Sequence, residues 1–216
     1  MSDTWPGEAE ELEALELDAD AAVETEVEEP QEAEEFEEEE LPRLRTAEAE
    51  QHAEGELDIP DDVNVIEGEP DGTRRGVAVV AARFNGEITK KLLASALDEL
   101  DEAGVRREAI TVMAVPGAFE LPLAAMALAK TRRYACIVAL GAVVRGDTPH
   151  FDYVASECAS GLQLAGIETG VPVAFGVLTV DTVEQAEARI PKAADAVRSA
   201  LEMADLFARL RASARQ

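Results

Sequence analysis

The sequence lacks the features by which several classes of protein are recognised. No apolar stretch approaches the roughly 20 residues that a membrane-spanning helix needs. The start, MSDTWPGEAE, has no basic region followed by an apolar run, and so it does not predict a signal peptide. These absences lead us to expect a cytoplasmic protein without a membrane partner.

Cysteine and histidine are scarce, with two of each in 216 residues. Cys136 and Cys158 each lie in an apolar neighbourhood, which predicts buried free thiols rather than a disulfide or a metal pair. No cluster of histidine, cysteine and carboxylate residues has the spacing of metal ligands. A Walker loop and a GxGxxG loop are missing as well, and the sequence therefore predicts no metal site and neither of these phosphate-binding loops.

Positive charge is almost missing from residues 1–62, which we call the acidic segment. It holds 26 acidic residues against Arg43 and Arg45, in a chain whose net charge is −27. Stretches such as EEPQEAEEFEEEE have few large apolar side chains to offset the entropy lost on ordering, and we expect disorder. The segment is interpreted as a solvated tail, with docking on a cationic partner or an assembly surface as the alternative. Its charge would repel phosphate, which argues against nucleic acid and anionic membranes as partners.

Beyond residue 75 the pattern changes to that of an α/β domain. Short β-branched runs predict strands at Val77–Ala82, Ile110–Val115, Ala135–Leu140 and Val173–Leu178. Longer amphipathic stretches between these runs predict crossover helices, which place the strands in one parallel sheet. Val63–Ile66 is a candidate for a short additional strand.

Four stretches carry apolar residues at helical spacing. Their approximate bounds are Ile88–Leu100, Phe119–Lys130, Phe151–Ile167 and Lys192–Leu210. Gly104 follows the first as a stop signal. We therefore predict a three-layer α/β sandwich with a four-stranded parallel sheet over residues 63–213, long enough to bury a sizeable core.

Ligands bind outside the carboxyl ends of the strands in such sheets. The segments that leave the four predicted strands are 83–85, 116–120, 141–150 and 179–181. They hold an aromatic residue in a loop, Phe84, and the one histidine of this domain, His150. We therefore expect a ligand site at this edge of the sheet.

His150 ends the stretch GAVVRGDTPH directly before a predicted helix. Its imidazole could transfer protons in condensation chemistry, or it could be an ordinary capping or surface residue. Gly146, Asp147 and Thr148 precede it, and free N–H groups with a threonine hydroxyl could hold phosphate there. An ordinary turn accounts for these three residues equally well.

Three further side chains have two interpretations each. Phe84 either stacks on a heteroaromatic ring or closes the core at the end of a strand. Glu120 either binds a polyol or simply benefits from the dipole at the start of its helix. Arg189, behind the amphipathic stretch DTVEQAEARI, either pairs with phosphate or is an exposed arginine at a helix end.

Five stretches in this order resemble the lumazine synthase family, that is, 6,7-dimethyl-8-ribityllumazine synthase. They are ARFN at 82–85, PGAFELP at 116–122, GAVVRGDTPHFDYV at 141–154, PVAFGVLTVDTVEQAEAR at 172–189 and LEMA at 201–204. The resemblance covers about residues 63–210 and leaves the acidic segment outside. The family typically carries a glycine- and lysine-rich linker after the arginine, whereas RIPKAADAV follows here, so that several linker residues are missing.

The resemblance implies a flavodoxin-like sandwich assembled into pentamers or larger assemblies of pentamers, with each active site shared between neighbouring subunits. It implies condensation of 5-amino-6-(D-ribitylamino)uracil with 3,4-dihydroxy-2-butanone 4-phosphate, without a metal or other cofactor, in the penultimate step of riboflavin biosynthesis. The alternative, suggested by the acidic segment and the shortened linker, is a non-catalytic flavin-binding shell or scaffold whose acidic segment recruits cargo.

The resemblance also implies a role for particular residues of this chain. His150 would transfer protons. Its partners would be Phe84, Ala142, Val143 and Val144 at the pyrimidine, Ala118, Phe119 and Glu120 at the ribityl chain, Asp147 and Thr148 at the phosphate, and Phe175 and Arg189 from the adjacent subunit, with Arg189 on phosphate.

Overall fold

The structure, a computed structural model, describes residues 58–60 and 62–213 of the chain. The disorder predicted for the acidic segment concerns residues 1–57 above all, and these lie outside the described part.

The sheet has four parallel strands in the order β2-β1-β3-β4. They are β1 at Val77–Ala82, β2 at Ile110–Val115, β3 at Cys136–Val144 and β4 at Val173–Val180. Strand β1 is buried along its whole length, because it is apolar throughout and helices cover both faces of the sheet. The predicted bounds of β1 and β2 are confirmed, whereas β3 and β4 extend further at their carboxyl ends.

Five α-helices cover the two faces of the sheet in the described part of the chain. They are α1 at Gly86–Glu102, α2 at Leu121–Lys130, α3 at His150–Thr169, α4 at Val183–Glu187 and α5 at Lys192–Ser213. Helices α1 and α5 pack on one face, and α2 and α3 on the other. This strand order and layering confirm the predicted flavodoxin-like three-layer fold. No helix among the described residues has the length and apolar composition that a bilayer crossing requires.

The prediction of a strand at Val63–Ile66 is wrong for this chain. The side chains of Val63, Val65 and Ile66 are each about half exposed, and none of these residues pairs with the sheet. A β-branched run becomes a strand only where a neighbour supplies hydrogen bonds and apolar contact. The segment is in contact with α5 at Glu69, whose backbone N–H donates to Asp205 Oδ2 over 3.1 Å.

The connection between β3 and α3 is shorter than predicted. The sequence predicts a loop from Gly141 onward, but Gly141 to Val144 pair in register with Val177 to Val180 of β4. The loop therefore comprises residues 145–149, and α3 begins at His150 itself. Two other differences are local: Ala118–Glu120 form a 3-10 turn before α2, and Val183–Glu187 form a separate short helix.

Helix α3 packs closely against α2 at Gly161. A Cβ atom at Gly161 would lie 2.6 Å from the Cβ of Pro122, closer than two carbon atoms approach without displacement. Glycine at this position therefore sets the distance between α2 and α3. Because His150 begins α3 and Glu120 immediately precedes α2, the same contact helps to set the distance between these two residues.

Both cysteines are buried free thiols, as predicted. Burial raises the pKa of Cys136 to about 12 and that of Cys158 to about 11. Neither thiol therefore supplies a reactive thiolate at neutral pH, and both act as small apolar residues of the core.

Candidate active site

A cavity of about 590 Å³ lies at the carboxyl ends of β1, β2 and β3. After forming β2 on one side of β1, the chain crosses over to form β3 on the other side. Ligands bind at such switch points in doubly wound sheets. Four segments line the cavity: 84–85 after β1, 116–120 after β2, 142–144 at the end of β3, and residues between 146 and 154.

The cavity brings together most of the residues that the sequence predicts for the site. These are Phe84, Ala118, Phe119, Glu120, Ala142, Val143, Val144, Thr148 and His150. Asp147, Phe175 and Arg189 do not line it. Asn85 and Tyr153 also line the cavity. Both lie within the stretches that carry the family resemblance, but no sequence pattern predicted a role for either residue.

Two neighbouring strand ends hold the segment that follows β1. The backbone N–H groups of Arg83 and Phe84 donate to the carbonyls of Val115 and Pro116 over 2.8 and 2.9 Å. On the other side, Asn85 Nδ2 donates to the carbonyl of Ala142 over 2.8 Å. Asn85 has a left-handed backbone, φ 56°, a conformation that asparagine tolerates better than most residues. The segment is thus fixed to both β2 and β3.

Phe84 projects from this fixed segment with 71% of its surface exposed. It does not close the core of its own chain, so the alternative interpretation of a core residue is wrong. An exposed ring on a rigid backbone at the cavity wall provides a flat apolar face on which a heteroaromatic ring can stack.

Glu120 is half-buried at the end of the 3-10 turn after β2. Its Oε2 accepts a hydrogen bond from the backbone N–H of Gly117 over 2.9 Å, which fixes the direction of the carboxylate. No described residue donates to Oε1. The carboxylate therefore stabilises its own turn through Oε2, while Oε1 can accept a hydrogen bond from a ligand hydroxyl group.

His150 is exposed at the cavity and is the first residue of α3. Pro149 occupies the N-cap position, and no side chain caps this helix. The alternative interpretation of His150 as an N-cap residue is therefore wrong. No described residue hydrogen-bonds to the imidazole. In the first turn, the N–H of Asp152 donates to the carbonyl of Pro149 over 3.0 Å, and the N–H groups that precede it have no partner in an earlier turn of the helix.

The charge of the cavity lining is unusual for a site that would bind phosphate. Glu120 is the only carboxylate among the described residues that line it, and none of them is lysine or arginine. Thr148 and the start of α3 offer neutral donors, which favour an anion through the helix dipole. A cation to balance a phosphate would have to come from outside this lining.

Neither Phe175 nor Arg189 lines the cavity of its own chain. Leu178 pairs with Ala142 at the cavity, and Phe175 lies three residues earlier on β4, about 10 Å along the strand. Arg189 follows α4 and is exposed, and its Nη1 donates to the carbonyl of Gln185 over 3.0 Å. No described carboxylate pairs with Arg189.

Comparison with protein-family models matches residues 75–208 to 6,7-dimethyl-8-ribityllumazine synthase. The chain belongs to the lumazine synthase family. All the predicted site residues fall within the matched range, and the acidic segment falls outside it. Lumazine synthases are transferase-type enzymes of riboflavin biosynthesis that act on small molecules and typically form oligomers.

Membership in the lumazine synthase family agrees with the position of the cavity at the switch point of the sheet. It also agrees with the segments that build the cavity, because they overlap three of the five stretches by which the sequence resembles the family. Among the described residues, no group of histidine, cysteine and carboxylate side chains could hold a metal ion.

Proposed function

We propose that the protein condenses 5-amino-6-(D-ribitylamino)uracil with 3,4-dihydroxy-2-butanone 4-phosphate to give 6,7-dimethyl-8-ribityllumazine. The observation that carries this proposal is the cavity itself, which combines an exposed aromatic ring, a half-free carboxylate and a histidine within a lumazine synthase domain. In this proposal the pyrimidine stacks on Phe84 and the ribityl hydroxyl groups reach Glu120. The backbone of Ala142 to Val144 contacts the edge of the pyrimidine.

The reaction requires addition, elimination and ring closure. The 5-amino group adds to the ketone and water leaves to give an imine, phosphate is then eliminated, and the ribitylamino nitrogen closes the ring with loss of a second water. His150 transfers protons during these steps, a role that typically contributes about 10²–10⁴-fold in rate. Holding two substrates in register contributes more, because it makes the encounter effectively intramolecular.

Phosphate binding is assigned to groups from two subunits. Thr148 and Asp147 lie next to the start of α3, where N–H groups attract an anion. The balancing cation is Arg189 of a neighbouring subunit, and Phe175 of the same neighbour completes the apolar wall. This assignment is supported by the cavity lining, which has no lysine or arginine in the described part of the chain, and by Arg189, which is exposed and pairs with no described carboxylate. The protein therefore acts as a homo-oligomer, a pentamer or an assembly of pentamers.

The experiment is to incubate the purified full-length protein with both substrates and to follow the appearance of the lumazine chromophore. We expect product with wild type and a strongly reduced rate with His150→Ala. The matched control is His52→Ala, which removes the only other histidine of the chain. Binding of the pyrimidine without any product would overturn the proposal and favour a binding or scaffold protein.

A further inference from the structure

Arg145 joins three parts of the structure at the edge of the candidate site. Its backbone N–H donates to the carbonyl of Val180 over 2.9 Å. Its Nε donates to Asp181 Oδ1 and its Nη1 to Asp152 Oδ1, both over 3.1 Å. The guanidinium carbon lies 4.1 Å from the centre of the Phe151 ring. One side chain therefore contacts both the first turn of α3 and the connection from β4 to α4.

The contacts toward α3 restrain His150. Phe151 and Asp152, which Arg145 contacts, are the two residues that directly follow His150 in the helix. A ring contact and a charge-assisted hydrogen bond on adjacent residues limit both the tilt and the rotation of this first turn.

The contact toward α4 leads to Arg189 through two further hydrogen bonds. The backbone N–H of Asp181 donates to Gln185 Oε1 over 3.0 Å. The carbonyl of Gln185 accepts from Arg189 Nη1, also over 3.0 Å. Arg145, Asp181, Gln185 and Arg189 thus form one continuous series of contacts along the surface.

The two arginines of this series differ in charge balance. Arg145 pairs with two carboxylates, and the hydrogen bond to Asp181 raises the pKa of its guanidinium. The guanidinium of Arg145 is therefore positively charged, but the two carboxylates already balance its charge, and this makes it a poor ligand for phosphate. Arg189 contacts only a carbonyl among the described residues and remains available for an anion.

We propose that Arg145 is a positioning residue that serves two active sites at once. It fixes His150 for the cavity of its own subunit, and through Asp181 and Gln185 it sets the direction of Arg189 for the site of the neighbouring subunit. This inference rests on the proposed function, in which Arg189 acts across the subunit boundary. Its consequence is that loss of Arg145 weakens proton transfer in one site and phosphate binding in the next.

Arginine suits this position and lysine does not. The planar guanidinium can donate to two carboxylates in different directions while its face lies on an aromatic ring, whereas an ammonium group is a single point charge. Because each of these ion pairs is half-exposed, each is individually weak. We therefore expect changes in kinetic constants of about two- to fivefold rather than loss of activity.

The test separates the contact of Arg145 with Asp181 from its contact with Asp152. Asp181→Ala removes the ion pair with Arg145 but keeps the backbone N–H that donates to Gln185. It should therefore uncouple Arg145 from Arg189 and raise KM for the phosphorylated ketone about two- to fivefold with little change in kcat. Asp152→Ala removes a contact toward His150 and should lower kcat by a similar factor with little change in that KM. Arg145→Ala should do both, Arg145→Lys should recover only part, and KM for the pyrimidine should stay constant in all four.

The matched control is Arg198→Ala. Arg198 also pairs with two carboxylates, Glu99 and Asp195, and is exposed to a similar degree, but it joins α1 to α5 away from the cavity. We expect wild-type kinetic constants in this variant. An active wild type whose Arg145→Ala variant behaves like Arg198→Ala would overturn the inference alone, and so would equal effects of the two aspartate variants on kcat and KM. A wild type that forms no lumazine would overturn the proposed function and the inference with it.

Discussion

Alanine substitutions at two glycines of α3 should change stability in opposite directions. Gly161 and Gly166 both lie inside the helix, where alanine is favoured over glycine by roughly 0.5–1 kcal/mol. They differ in the space that a methyl group would meet. At Gly161 the new Cβ would lie 2.6 and 2.9 Å from the Cβ and Cγ of Pro122, whereas at Gly166 the nearest atom, the carbonyl oxygen of Val171, is 3.6 Å away.

The magnitude follows from these distances. The ring of Pro122 cannot rotate out of the way, and Gly161→Ala therefore has to push α3 away from α2. Overpacking of this kind costs about 1–3 kcal/mol, which exceeds the gain in helix propensity. We expect Gly161→Ala to lower the free energy of unfolding by about 1–2 kcal/mol net. Gly166→Ala meets only ordinary van der Waals contact and should raise it by about 0.5–1 kcal/mol.

Urea unfolding followed by circular dichroism would measure both variants. The protein concentration has to be the same throughout, because oligomerisation shifts apparent stability by mass action. Since α3 begins with His150, Gly161→Ala should also lower kcat, while Gly166→Ala should not. Equal unfolding midpoints, or a Gly161→Ala variant more stable than wild type, would show that the contact between α2 and α3 does not depend on glycine.

Four other predictions concern chemistry. His150→Ala should lower kcat by about 10²–10⁴-fold and leave the pyrimidine affinity unchanged in calorimetry, since stacking and backbone groups hold the ring. Phe84→Ala should instead weaken pyrimidine binding, and an unchanged affinity would remove its stacking role. Arg189→Ala should raise KM for the phosphorylated ketone far more than for the pyrimidine, and mixing it with His150→Ala subunits should restore some activity; no recovery in well-mixed oligomers would place both residues in one subunit's site. Cys136 and Cys158 should resist iodoacetamide at pH 8 in the native protein and react after unfolding, as mass spectrometry can show; rapid native labelling would contradict their burial.

The elements that sequence reasoning located well are those whose pattern is decided locally. Strand β1 is a run of six apolar residues with helices on both faces, and its bounds could be predicted from composition alone. The buried residues of α1 include Ile88, Leu92, Ala96 and Leu100, the same four that recur at helical spacing. Gly104 has φ 84°, which explains why the helix ends just before it.

The parts that sequence reasoning missed depend on partners distant in the chain. Gly141 and Ala142 looked like the start of a loop, yet β4 runs alongside them and supplies their hydrogen bonds. Val63–Ile66 has the composition of a strand and finds no pairing partner in the described chain. The hydrogen bond from Asn85 to Ala142 joins residues 57 positions apart, and no local sequence pattern predicts it.

The site was predictable in a different way. The rule that ligands bind at the carboxyl ends of parallel strands predicted the sheet edge at which the cavity lies, and the family resemblance supplied the roles proposed for individual residues. Neither source could reveal how Glu120 divides its carboxylate between Gly117 and the cavity, because that depends on the conformation of a 3-10 turn. Nor could they show which exposed arginines are already paired with carboxylates.

The lack of a cation in the cavity lining connects assembly with catalysis. In the proposed reaction, a phosphorylated substrate carries its charge into a site whose lining, among the described residues, includes the carboxylate Glu120 but no lysine or arginine. Neutral donors at the start of α3 reduce the cost of that charge but do not cancel it. Arg189 is a cation that lacks a balancing anion, because its guanidinium is exposed and pairs with no described carboxylate of its own chain. If the arginine of one subunit lies over the cavity of the next, the guanidinium balances the phosphate and the phosphate balances the guanidinium. The contact between subunits is then part of the catalytic site and not only a source of stability.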